Sequence, residues 1–197
     1  MFGWGKQGSK TPVPEPARPT NRIPTVQFDS TRVTTTVLAD LAENIRALGE
    51  VGTENFEMIY QAASHAISVG GALNVIYATL MGIDGMTKKR ANEISLSLNA
   101  KANAVMKAEQ QTKLGVKYAT WRYSGAPCWM DSNQPGGTEQ DAAHKAANGQ
   151  HFLISKGMLV NGDWTWPGRK DGCKCRSKPL IPGFDGYDGS KPKWLGE

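Results

Sequence analysis

Histidine and cysteine are scarce in this chain, with three of each in 197 residues. Three cysteines do not make a disulfide scaffold, and an odd count in a reducing compartment points to thiols or metal ligands. No Gly-x-Ser-x-Gly elbow, His-Glu-x-x-His helix, phosphate-binding loop or dinucleotide fingerprint occurs, so the common hydrolase, metalloprotease and nucleotide-binding classes lose their usual signatures. Met1 to Lys6 runs directly into Pro-rich polar sequence without an apolar leader, and the expectation is a chain made and kept in a cytoplasm. Charge of one sign is limited: the net +5 is moderately basic, short of a dedicated nucleic-acid binder. No internal repeat occurs at periods from 20 to 50 residues. One uncharged stretch, residues 66–83, has the length of a bilayer span. Gly70-Gly71, Ser68, Asn74 and Thr79 interrupt it and no aromatic belt flanks it, so it reads as a buried or oligomer-facing helix.

Glycine and proline are plentiful, at 22 and 11 residues, and much of the chain must therefore be arm, loop or turn around a modest core. Residues 1–30 carry Pro12, Pro14, Pro16, Pro19 and Pro24, which forbid a helix and favour an extended arm. Residues 31–113 are helical in pattern. Ser30 or Thr31 is placed to cap a first helix through Val33, Val37, Leu38, Leu41, Ile45 and Leu48, ending at Gly49 and Gly52. A second helix is expected from about Glu54 to Val69, a third over Ala72 to Met81, and the longest over residues 87–113. From Leu114 to Phe184 the periodicity disappears and turn dipeptides multiply. Strands are expected at 116–123, 149–154 and 163–166, within a small β-rich unit followed by a polar tail, 185–197. The fold class is α+β.

Cys128, His144, Cys173 and Cys175 make a Cys3His set compositionally available for tetrahedral zinc, and a unit of about 70 residues needs a staple. Against this, Cys-x-Cys is less usual than a Cys-x-x-Cys knuckle and points successive side chains apart along extended backbone. The competing reading packs one cysteine in the core, leaves the others as free thiols and gives His144 a structural hydrogen bond. His151, beside Phe152, reads as a half-buried strand residue. A catalytic reading pairs His144 with Asp141 or Asp131 as a nuclease-like general base, against the plainer reading of both Asp residues as loop-solvated or capping groups. Trp121, Trp129, Trp164 and Trp166 are first of all the available core, and secondarily stacking platforms for bases. On the long helix, Lys88, Lys89, Arg90, Lys101 and Lys107 form the candidate nucleic-acid contact, with a solvated charged face as the plainer reading.

Several strings in order resemble the phage Mu F-like minor head proteins, the head morphogenesis family of tailed double-stranded DNA phages. They begin at Gly85-Met86-Thr87-Lys88-Lys89-Arg90-Ala91 and Leu98-Asn99-Ala100-Lys101-Ala102, and continue at Leu114-Gly115-Val116 with Trp121 and at His144-Lys145-Ala146-Ala147-Asn148-Gly149 with Phe152. They are sharpest at Lys156-Gly157-Met158, Trp166-Pro167-Gly168, Gly172-Cys173-Lys174-Cys175-Arg176 and Ile181-Pro182-Gly183-Phe184, so the likeness covers roughly residues 72–184. Two departures stand out. Glu139-Gln140-Asp141 occupy the place where the family usually carries an Arg-Pro pair, and Cys128 lies in an inserted loop, so it inherits no role. The part preceding the likeness is also shorter than is common in the family.

The resemblance implies a structural minor head protein without established enzyme activity, assembled in the host bacterial cytoplasm and carried in the virion. Its implied partners are the portal, the capsid or scaffold proteins, further copies of itself and, non-specifically, packaged double-stranded DNA. It implies neither a membrane nor a small-molecule substrate. His144, Asn148, Gly149, Cys173 and Cys175 are implied to be one structural constellation. Two alternatives stay open: a small metal-dependent nuclease or toxin-like enzyme on residues 114–184, and a head–tail connector or completion protein.

Overall fold

The computed structural model describes residues 27–129, 136–184 and 186–192. The expectations for most of the arm and for Asp131 lie outside the described residues.

The first helix, α1 (Thr35–Arg46), buries Val37, Leu41 and Ile45 at four-residue spacing, the stripe its sequence prescribes. Its cap corrects the expectation. Thr34 accepts from the Val37 amide at 3.3 Å, while Ser30 and Thr31 belong to a short 3₁₀ turn that Asp29 caps. Helix α2 (Gly52–Ser68) starts two residues earlier than expected and α3 (Leu73–Leu80) follows the Gly70-Gly71 break. Helix α4 (Lys88–Lys113) opens under the Thr87 cap and buries Ala91, Ile94, Leu98, Ala102 and Val105. Both α1 and α3 pack between α2 and α4, and their apolar faces meet in one core. Ala66, Ile67, Ile76 and Leu80 from the uncharged stretch are buried there. Among the described residues no helix is long and apolar enough to cross a membrane.

The remaining chain is α+β, with a second core of its own. Strand β1 (Tyr118–Arg122) is the middle of a three-stranded antiparallel sheet, between β2 (His151–Leu153) and β5 (Arg176–Pro179). Strands β3 (Met158–Val160) and β4 (Asp163–Thr165) form a separate hairpin. Its turn residues Asn161 and Gly162 both have positive φ, 52° and 82°, as a type I′ turn demands. Gly157, which opens the hairpin, has no substitute: a Cβ there would lie 2.6 Å from the Thr165 carbonyl oxygen. The free edge of β5 is blunted. Leu180 donates to Tyr118 at 2.9 Å, a register that turns the backbone of Ser177 and Pro179 outward. The Ser177 carbonyl then receives Lys107 at 2.7 Å, and Pro179 has no N–H to offer. A helix, α5 (Gly137–Ala146), stands where the sequence pattern suggested only β structure and turns.

Helix α4 serves both cores, since Ala108 lies against the second one. Polar ties cross between the two units: Arg169 pairs with the buried Asp40 of α1, and Asp171 pairs with Lys101 and accepts from Ser97, both at 2.7 Å.

Candidate metal centre

The β1–β5 register sets Arg122 opposite Arg176, so the loop leaving β1 and the segment entering β5 emerge from the same end of the sheet. The first carries Cys128, the second Cys173 and Cys175. Helix α5 crosses this end and lays His144 against Trp121, whose ring meets the imidazole edge-on at 5.2 Å. All four side chains are buried, and their ligand atoms lie within 4.8 Å of one another. Cys128 Sγ is 3.5 Å from Cys175 Sγ, and His144 Nδ1 is 3.4 Å from Cys173 Sγ and 3.8 Å from Cys175 Sγ. Bonds of about 2.3 Å to sulfur and about 2.0–2.1 Å to nitrogen at tetrahedral angles require S···S of about 3.8 Å and S···N of about 3.5 Å. The cluster therefore has the shape and the donors to hold one metal ion.

The objection from Cys-x-Cys spacing is corrected by the same alternation that raised it. Lys174 points out and is exposed, which leaves Cys173 and Cys175, two residues apart, on the same buried side. The knuckle's missing amide support is supplied from elsewhere: the Gly168 amide donates to Cys173 Sγ at 3.3 Å. Cys128 joins the others although it lies in the loop that departs from the family pattern.

Within the cluster, hydrogen bonds from Cys173 and Cys175 pull the Cys128 thiol down, while hydrogen bonds with Cys128 and Cys173 push the Cys175 thiol up. Burial lowers His144, but hydrogen bonds to Cys128 and Cys173 outweigh it and raise it to about 9.

Around these ligands lies a second layer that sequence reasoning missed or misassigned. Asp141, expected as a candidate general base, accepts from the Cys128 amide at 2.8 Å, from the Tyr123 hydroxyl at 2.7 Å and from Lys145 at 2.8 Å. Burial pushes its carboxyl up, and Lys145, the Cys128 amide and Tyr123 more than reverse that, holding it below the usual range. Tyr123 in turn is pushed up to about 12, by desolvation and then by Asp141, and stays a donor. Gln140 bonds the carbonyls of both Cys128 and Asp171, at 2.6 and 2.8 Å, which ties the two ligand loops together. The available signal was helical spacing: Gln140, Asp141, His144 and Lys145 share one face only if residues 137–146 form a helix. Asp141→Asn is expected to weaken metal affinity by about 10–100-fold, as loss of an outer partner does, with the far-ultraviolet spectrum unchanged. Competitive cobalt(II) titration checks this, and an unchanged affinity would confine Asp141 to holding α5.

The other predicted residues scatter. Arg90 pairs with Glu50 at 2.6 Å and lies 3.7 Å from Glu93, Lys89 is 3.9 Å from Glu93, Lys101 is held by Asp171 and Lys107 by the Ser177 carbonyl. Lys88 is exposed. The expected basic face of α4 is thus divided among separate intrachain contacts. Trp121 is fully buried, Trp166 is half-buried with its N–H on the Ile154 carbonyl, and Trp164 is 45% exposed on the hairpin opposite Leu159. His151 is half-buried and meets the Thr120 hydroxyl at 2.9 Å, as a strand residue.

Compared with known protein families, with curated proteins and with solved structures, the chain finds no match in any of the three.

Proposed function

We propose that this chain is a non-enzymatic structural protein whose small β-containing unit is stapled by zinc, and that it acts as a minor head protein of a tailed double-stranded DNA phage. The observation that supports the structural role is the donor set: three cysteines and a histidine, all buried, with their ligand atoms within 4.8 Å of one another, enough to fill a four-coordinate site with protein ligands alone. A Cys3His set of this geometry suits zinc, whose closed sites are structural and whose catalytic sites keep one position open. The phage-head role is supported by the ordered likeness of residues 72–184 to the Mu F-like proteins, and with it we propose work at the portal vertex or inner capsid, among portal, capsid or scaffold proteins and further copies of itself. The catalytic alternative loses its described residues, since His144 faces the sulfurs and the Asp141 carboxylate is spent on three donors. The proposal includes no DNA-binding face, because four of the five residues expected to form it already have partners within the chain.

Protein purified without chelator is expected to carry one zinc per chain by elemental mass spectrometry, lost in Cys173→Ser and in His144→Ala. A metal-free parent would retire the zinc assignment. In cells producing particles, the chain is expected in heads whether or not they contain DNA. Recovery only from DNA-filled particles would favour a completion protein, and DNA cleavage abolished by His144→Ala would favour the nuclease.

A further inference from the structure

An apolar groove of about 440 Å³ lies between the C-terminal half of α4 and the β-containing unit, with none of the four cluster ligands in its lining. Val105 and Ala108 of α4, Ile154 and Trp166 of the β-containing unit and Thr36 of α1 line it. Several of its polar groups are already used internally: the Trp166 N–H bonds the Ile154 carbonyl at 2.7 Å, the Thr112 hydroxyl bonds the Ala108 carbonyl at 2.9 Å, Glu109 accepts from Thr34 at 2.6 Å and Arg169 pairs with Asp40. The groove thus offers apolar surface and few hydrogen-bonding groups. It suits a segment that is itself poor in backbone donors.

We propose that the groove is the docking site of this chain's own Pro-rich segment, residues 11–24. Four features of the chain support that occupant. Pro12, Pro14, Pro16, Pro19 and Pro24 lack an N–H, so this segment asks little of a groove that has few polar groups to give. Proline fixes the backbone in advance, which lowers the entropy lost on docking, and Val13 and Ile23 add apolar surface. The tether is short: Gln27, where the described chain begins, is nine residues from Thr36 in the groove's end, at most about 30 Å of extended chain. A segment held that close has an effective concentration in the millimolar range, above that of an untethered partner. The segment carries Glu15, Arg18 and Arg22 and the lining carries Glu109, Lys113 and Arg169, so each side offers charges of both signs. The proposal does not depend on the zinc or on the phage assignment.

The test uses the full chain with the photoreactive residue benzoylphenylalanine replacing Thr112 or Ser155, both exposed at the groove, or Ala142, exposed on α5, as control. Circular dichroism confirms the fold of each variant before illumination, and mass spectrometry maps the cross-links. The expected result is cross-linking within the monomer from Thr112 and Ser155 to peptides of residues 11–24, about tenfold or more above the control, since the tether serves both positions and only docking favours the groove. Cross-links to the same segment found only between two chains would overturn the assignment to the chain's own arm. Absence of cross-links to residues 11–24 from both positions would overturn the docking itself.

Discussion

Cys175→Ser is expected to leave the α1–α4 bundle folded and to unfold the unit that follows it. Apparent binding energies of structural zinc in small domains are about 10–16 kcal/mol at neutral pH, whereas whole domains have net stabilities of about 5–15 kcal/mol. The second core is small: Ala119, Trp121, Phe152, Ile154 and Val160 are its buried apolar side chains apart from Ala147 and the cysteines themselves. Losing one ligand therefore removes more free energy than that core can replace. The first core contains none of the four ligands and rests on sixteen buried residues from α1 to α4. Near-ultraviolet dichroism from Trp121 should vanish while most helical far-ultraviolet signal stays, and chelation of the parent should reproduce both changes. Retention of the Trp121 signal in the variant would show that packing alone holds the unit.

Trp121→Ala is expected to cost about 3–5 kcal/mol, the usual result of deleting a fully buried aromatic side chain. Trp121 is 0% exposed and meets both His144 and Phe152 edge-on, at 5.2 and 6.4 Å, so the cavity opens against a metal ligand. Trp121→Phe should cost much less, under about 2 kcal/mol, because it removes a buried N–H that has no partner among the described residues along with part of the ring. Urea unfolding followed by zinc release separates the two variants. Equal losses would mean that the indole nitrogen contributes favourably.

The helices of the bundle were legible because each repeats an apolar residue every three or four positions over two turns or more, as Val37, Leu41 and Ile45 do. Helix α5 was not: it opens on Gly136-Gly137, is ten residues long, and buries chiefly polar side chains, Asp141 and His144, whose partners are the Cys128 loop and the cysteine cluster. Strand β5 reads Arg-Ser-Lys-Pro and carries no strand pattern. Its place comes from pairing with β1. The four candidate ligands could be named from residue type alone, but their convergence depends on that pairing and on α5. The intrachain partners of the basic residues of α4 were illegible for a similar reason, since the partner of Arg90 is 40 residues away and that of Lys101 is 70. Composition sees the charge and not its neighbour.

Helix α4 holds the β-containing unit at two levels, through Ser97 and Lys101 on Asp171 and, further along, through Lys107 and Gln111 on Ser177. Each residue of an α-helix advances the chain by about 1.5 Å and rotates it by about 100°. The two levels are thus locked in rotational phase as well as in distance, like teeth cut at fixed angles on one shaft. Substitutions between Lys101 and Lys107 alter the shaft's surface, but inserting or deleting one residue there would turn the lower teeth a quarter of a revolution or more away from their sockets. The length of this short helical segment is therefore a stricter requirement of the architecture than its composition.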